Sequence, residues 1–223
     1  MKEIKNLTGV VVEYATPDLL KKAIDSIRMF YDFPIIVING SEEKLDYPNV
    51  VDVGYNIGHG LGMDMGIKMA KTDYVLTFDT DIEMLRPCLK QMLEKMDEDT
   101  YAIGKIYLEN NMNIYNNHIE SFKGIGVVRI VHPSFQIVSK KEYLKYAPYI
   151  SDGAPTILSY HDLARRKIDK KVLVDFPVLD YIYHRNAGTR DMIDETDYKS
   201  QGHLHWVKKW KEYIETNPME TVQ

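Results

Sequence analysis

The chain reads as an α/β protein with a mainly parallel central sheet, and three observations predict it. Short apolar runs at 9–14, 35–38, 50–53 and 75–78 each stop at polar or turn residues, as buried strands of a parallel sheet do. Residues at helical spacing separate the first two runs. The connections are also short, and strand–helix–strand units of this kind predict right-handed parallel crossovers. A length of 223 residues suits one large domain, taken here as residues 1–223.

The first strand covers 9–14. Thr16 and Pro17 follow as N-cap and first helical residue, and Leu19, Leu20, Ala23, Ile24, Ile27 and Phe30 recur at helical spacing. Pro34 restarts the chain into the 35–38 strand, which ends at Asn39, Gly40 and Ser41. After a short third strand at 50–53 come three alternate glycines, Gly58, Gly60 and Gly62, and then a helix expected over 63–70. Such glycines let backbone N–H groups approach an anion closely. They also occur in flexible turns and where a helix packs tightly on a strand.

The next strand ends in two carboxylates, Asp79 and Asp81. Ligands of open α/β sheets bind outside the carboxyl ends of such strands. Paired carboxylates repel each other, so a hard divalent cation is their natural partner, with water and phosphate oxygens completing its shell. The spacing therefore points to a metal–diphosphate site holding Mn²⁺ or Mg²⁺. The same tripeptide occurs as a solvated turn, and an EF-hand is disfavoured because Met84 stands where that loop needs glycine.

Further on, a helix is expected over 85–96, with Leu89, Met92, Leu93 and Met96 as its core stripe, followed by a strand at 101–106. Residues 107–117, rich in Asn and Tyr, read as a long loop, a lid or an acceptor contact. Two strand-like runs, 127–133 and 134–138, are interrupted by Pro133 and lead to a helix around 140–146. His132 is a strand-end histidine, either a structural hydrogen-bonder or a substrate contact. Residues 153–167 read as a loop ending in His161 and Asp162 and continuing as a helix, and a final strand runs up to His184. In the tail, Trp206, Val207, Trp210, Tyr213 and Ile214 recur at helical spacing. That face closes the core or an oligomer interface, or lies on a membrane surface or nucleic acid.

A net charge of −5 argues against a strongly cationic nucleic-acid binder. A lone cysteine, Cys88, excludes an internal disulfide and cysteine-based zinc sites. The chain opens without a signal-peptide pattern, and no apolar stretch approaches the roughly 20 residues of a membrane span. The expected location is cytoplasmic, with any membrane contact made from the surface.

Together these residues resemble family 2 glycosyltransferases of the GT-A fold. The likeness rests on Tyr14 after the first strand, Gly40 and Ser41 after the second, the block Asn56, Gly58, Gly66 and Ile67, and Asp79 with Asp81. It spans roughly residues 9–189 and departs in the opening motif apart from Tyr14, at Ile38 and Asn39, where the family has a pair of acids, and at Met63 and Asp64, where it has Arg and Asn. The resemblance implies a GT-A-like three-layer sandwich. Its donor half would cover about 1–100 and its acceptor half about 101–190, with a helical tail over 191–223.

It also implies metal-dependent transfer of a sugar, with inversion, from a nucleotide-diphosphate sugar, UDP in the first instance. By analogy the nucleotide-sugar would meet Glu13, Tyr14, Asn39, Asn56, Gly58, Asp64, Asp79 and Arg190. The metal would meet Asp79, Asp81 and His184, and Asp162 would be the base that deprotonates the acceptor hydroxyl. Asn39 can offer a donor and an acceptor to a pyrimidine edge. Arg185 or Arg190 can neutralise the leaving diphosphate. The acceptor is left open among saccharide, lipid-linked, protein and modified nucleic acid, as is a homo-oligomer. One alternative is a nucleotide-sugar binder without turnover. Another is a transferase acting on nucleic acid through Lys140, Lys141, Arg165, Arg166, Lys170 and Lys171, with a steep salt dependence.

Overall fold

A computed structural model describes residues 2–110, 127–149 and 157–185, together with 212, 215 and 216. Its strands are β1 (Lys2–Glu3), β2 (Leu7–Glu13), β3 (Tyr31–Asp32), β4 (Ile35–Asn39), β5 (Val50–Asp52), β6 (Tyr74–Phe78), β7 (Ile82–Met84), β8 (Ala102–Asn110), β9 (Val127–Ser139), β10 (Leu173–Asp175) and β11 (Ile182–His184). Its helices are α1 (Pro17–Arg28), α2 (His59–Met69), α3 (Leu89–Glu94), α4 (Lys140–Tyr143), α5 (Ile157–Arg165) and α6 (Asp169–Val172).

Seven strands form the main sheet in the order β10-β8-β9-β6-β2-β4-β5. The β2/β4, β2/β6, β4/β5 and β8/β10 pairs are parallel, and β9 runs antiparallel to both its neighbours. The strands therefore form a mostly parallel sheet, as the apolar runs predict. Because successive side chains of a strand point to opposite faces, the sheet feeds two cores. Leu7, Val11, Leu76 and Ile137 pack with Leu20, Ala23 and Ile27 of α1 on one face. Val10, Val75 and Val138 pack with Met63 and Ile67 of α2, Tyr143 of α4 and Leu163 of α5 on the other. The result is a three-layer, GT-A-like sandwich.

The chain progresses outward from β2 to β4 and β5, then crosses back through α2 to β6 on the other side of β2. That reversal opens a crevice between the carboxyl ends of β2 and β6, where α/β sheets bind their ligands. A hydrogen bond from the Thr16 hydroxyl to the Thr80 hydroxyl (3.3 Å) spans it.

Several boundaries differ from the sequence-based expectation, each for a physical reason. The helix α2 begins at His59 rather than 63, so Gly60 and Gly62 lie inside it. A Cβ on Gly62 would come within 2.6 Å of Val12, and one on Gly66 within 2.3 Å of Val10. These two glycines serve tight helix–strand packing, not an anion loop. Pro133 does not divide two strands. It lies within β9 at a bulge, where the pairing with β8 shifts between Gly104 and Ile106, and a bulge tolerates a residue without an N–H. Residues 107–110, expected in a loop, extend β8, while the rest of that segment lies outside the described residues. The helix expected from 85 starts at Leu89, because 82–84 pair antiparallel with 182–184. The aromatic stripe of the tail also falls outside the described residues.

On the α2 face four tyrosines, Tyr101, Tyr143, Tyr149 and Tyr160, stand fully buried. Tyr160 donates to the Gln136 carbonyl (2.6 Å), Gln136 donates to the Tyr149 hydroxyl (3.2 Å), and Tyr143 donates to Asp64 (2.8 Å). Buried polar groups demand such partners, and the network ties α2, α4, α5 and β9 together.

Two measurements test this packing. Gly66→Ala should destabilise the protein by about 1–3 kcal/mol, the usual cost of overpacking, seen as a lower denaturant midpoint, and Val10→Ala in the same chain should recover part of the loss. Burial pushes the Cys88 thiol up to about 12. As the thiolate is the nucleophile, folded protein at pH 8 should resist alkylation that denatured protein undergoes readily.

Candidate active site

The carboxyl end of β6 carries Asp79, Thr80 and Asp81, and the chain there is fixed from both sides. The Asp79 N–H donates to the Ser134 carbonyl in the β9 bulge (3.0 Å), and the Arg185 N–H donates to the Asp81 carbonyl (3.0 Å). The short β7–β11 ladder pairs Ile82 with His184 and so sets that imidazole beside the two carboxylates. His184 Nε2 lies 3.2 Å from Asp81 Oδ1 and 3.9 Å from Asp79 Oδ2. Ligand atoms of Asp79, Asp81 and His184 all fall within 4.8 Å of one another. Two carboxylates and one imidazole converging in this way suit a divalent cation.

Two further histidines face the pair. His59, the first residue of α2, places Nε2 at 3.2 Å from Asp79 Oδ1. His132 stacks edge-on with His184 at 5.7 Å between ring centres and shares a 2.7 Å hydrogen bond with the Ser134 hydroxyl. Tyr107 packs edge-on against the other side of His132 at 5.4 Å. Burial works against charge on Asp79, but His59, with His184 and His132 beyond it, holds its carboxyl below the ordinary range. Burial also opposes charge on His184, yet the hydrogen bond to Asp81 and the charges of both aspartates leave it raised. His132 is lowered, because burial and the neighbouring His184 and His59 outweigh the two aspartates.

Beside this centre, across the switch point, lies a cleft of about 580 Å³ bordered by Glu13, Tyr14, Ser41, Glu43, Tyr55 and Asn56, among others. Of the residues expected to meet a nucleotide-sugar, Glu13, Tyr14 and Asn56 line it. Glu13 is fully buried, accepting the Thr16 N–H (2.6 Å) and the Ser41 hydroxyl (3.0 Å). Asn39 lies beneath the cleft. Its amide donates to the Glu43 carbonyl and to Asp52 (both 2.8 Å), and its carbonyl accepts the Ser41 N–H (3.0 Å). The group expected to read a base edge is thus spent on shaping the 41–43 loop. Gly58 precedes α2 with φ +83°, a value that favours glycine. Asp64 does not line the cleft: Tyr143 and Lys68 hold its carboxylate on the far side of α2. Arg190 lies outside the described residues.

Asp162 does not open its helix. It lies within α5, fully buried. Its Oδ1 accepts from Arg165 (2.6 and 2.9 Å) and Arg166 (3.1 Å), and its Oδ2 accepts the Ala147 N–H (3.2 Å). Two of the other cations considered for nucleic acid also have partners of their own. Lys140 caps the end of α2 through the Lys68 and Ala70 carbonyls, and Lys171 pairs with Asp99.

His59 and Asp52 carry no functional signal in the sequence. A lone histidine between two glycines carries no periodic signal, and Asp52 ends a three-residue strand.

Comparison with known families agrees with this geometry. Residues 10–173 match the model of glycosyl transferase family 2. The chain belongs to that family. Among solved structures, it resembles a mannosyltransferase from Pyrobaculum calidifontis, in complex with GDP-Man and Mn²⁺, with a TM-score of 0.51 at 15% identity. The match covers 77% of this chain and 55% of that one. Glucosyl-3-phosphoglycerate synthase from Mycobacterium tuberculosis, in complex with Mn²⁺ and UDP-glucose, gives 0.53 at 14% identity, covering 84% and 73%. S. aureus TarS 1–349 gives 0.52 at 13%, covering 99% and 67%. At such identities these likenesses speak for the fold. A search of curated proteins finds no match.

Removing Asp162 would take a buried carboxylate away from two arginines, one of them buried. Asp162→Ala should therefore cost about 3–5 kcal/mol of stability, the usual penalty for breaking a buried pair, read as a large fall in melting temperature. A residue acting only as a base would instead lose turnover with its melting unchanged.

Proposed function

We propose that the protein is a metal-dependent glycosyltransferase that moves a sugar from a nucleotide-diphosphate sugar to an acceptor hydroxyl. The observation that carries this reading is the convergence of Asp79, Asp81 and His184 within 4.8 Å, beside the cleft at the switch point. That donor set fits Mn²⁺ better than Mg²⁺, because imidazole suits transition metals while Mg²⁺ keeps to oxygen ligands and water. When bound, such a cation supplies charge that stabilises the departing nucleoside diphosphate.

The chain's own residues do the rest. Tyr14, Tyr55 and Asn56 border the space for the nucleoside, while Glu13 holds Ser41 and the start of α1 in place. Asn39 and Asp52 brace the loop that closes this space. His132 and Tyr107 form a wall on the β8–β9 side, suited to the transferred sugar or its acceptor. The family resemblance implies Asp162 as the base. Its clamp by Arg165 and Arg166 favours a positioning role for α5. We read the chain as one domain, with the donor half up to about residue 100 and the acceptor half from 101 to 190. Inversion rests on the family resemblance. No described helix is long and apolar enough to cross a membrane.

Calorimetry with UDP, GDP and dTDP, each with and without Mn²⁺, tests the donor reading. One nucleotide, UDP in our expectation, should bind only with Mn²⁺, and Asp81→Ala should abolish that binding. Slow hydrolysis of the matching nucleotide-sugar would separate an enzyme from a binder. If none of the three binds under any condition, the assignment fails.

A further inference from the structure

His59 has no part in the metal-ligand set, yet it holds the closest polar contact to one of that set's buried oxygens. The two oxygens of Asp79 face different neighbours. Oδ2 points toward His184 (3.9 Å), within the cluster that would hold the cation. Oδ1 is buried, accepts no hydrogen bond of good geometry, and has His59 Nε2 as an ion-pair neighbour at 3.2 Å. A carboxylate oxygen taken out of water is costly without a donor, and His59 Nε2 is a nitrogen within reach to supply one.

The route by which His59 arrives is rigid. Gly58, at φ +83°, turns the chain into α2, of which His59 is the first residue. The helix is then fixed on β2 by the close approach of Gly62 to Val12 and of Gly66 to Val10, and β2 pairs directly with β6. Asp79 and His59 are therefore delivered to each other by two neighbouring strands and a helix locked onto one of them.

We propose that His59 is a positioning residue. It donates from Nε2 to Asp79 Oδ1, fixes the rotation of that carboxylate, and so presents Oδ2 to the divalent cation shared with Asp81 and His184. Partners of this kind behind a metal ligand typically change affinity about 10–100-fold when removed. The inference rests on the metal reading above and adds to it a residue from the opposite half of the crevice.

The test is Mn²⁺ binding to the full chain, without nucleotide, by calorimetry and by the Mn²⁺ electron paramagnetic resonance signal, for wild type, His59→Ala and His59→Gln. The glutamine amide reaches about as far as Nε2 and can also donate. We expect His59→Ala to bind Mn²⁺ about 10–100-fold more weakly and to melt at a lower temperature, because the buried Asp79 oxygen loses its nearest nitrogen, and His59→Gln to regain most of both losses. Wild-type affinity in His59→Ala would overturn the proposal. So would a His59→Gln variant as weak as His59→Ala, since the imidazole would then be a ligand in its own right. The wild-type titration keeps the two readings apart: no Mn²⁺ binding there overturns the metal site itself, and this proposal with it.

Discussion

The mutual repulsion of Asp79 and Asp81 is the constraint around which the crevice is arranged. Two carboxylates one residue apart at the end of a buried strand are costly in the absence of nearby positive charge or donors. The surrounding elements supply both. The helix α2 brings His59 to one oxygen of Asp79, and β11 brings His184 between the two acids. The β9 bulge ties down the backbone of Asp79 and carries His132. Each has a structural origin that at first seems unrelated to chemistry: glycines for packing, a three-residue ladder, and a proline in a strand. Their common product is an acidic pair held close together, a geometry that a divalent cation completes.

The same economy explains the division of the crevice into an end whose polar groups face a common centre and an end whose polar groups hold the chain's own turns. At the β6 end the polar groups point at one another and leave a compact centre for a cation and phosphates. At the β2 and β4 ends, Glu13 and Asn39 are buried and fully occupied with the 13–16 and 41–43 turns. They shape the cleft from below, while Tyr14, Tyr55 and Asn56 border its open side. Acids or amides at strand ends are thus not equivalent. Those that face a shared centre can meet a ligand, and those engaged by nearby turns and side chains build the walls.

Much of the architecture was legible in the sequence, because parallel strands are short apolar runs and α1 carries an unbroken stripe from Leu19 to Ile27. The cluster of Asp79, Asp81 and His184 was also legible, since two acids at a strand end have few other uses. What was not legible fails for identifiable reasons. Alternate glycines at 58, 60 and 62 look like a loop, yet two of them lie inside α2, because glycine is tolerated where a helix must touch a strand. The three-residue partners β7 and β11 are too short to show a period. Pro133 signals a break, but a bulge absorbs it. Asp162 resembles the acid of a helix start. Only its contacts with Arg165, Arg166 and Ala147 reveal an interior clamp.

The β7–β11 ladder also has a bearing on how the molecule comes into being. The strand that carries Asp79 and Asp81 emerges from the ribosome well before His184, and the family match itself ends at residue 173, ahead of that histidine. Until β11 docks, the acidic pair lacks one of its counter-charges and β7 has an open edge. The centre is therefore among the last features of the described chain to mature in a nascent polypeptide. A fragment cut at the family boundary would retain most of the sheet but not an intact centre.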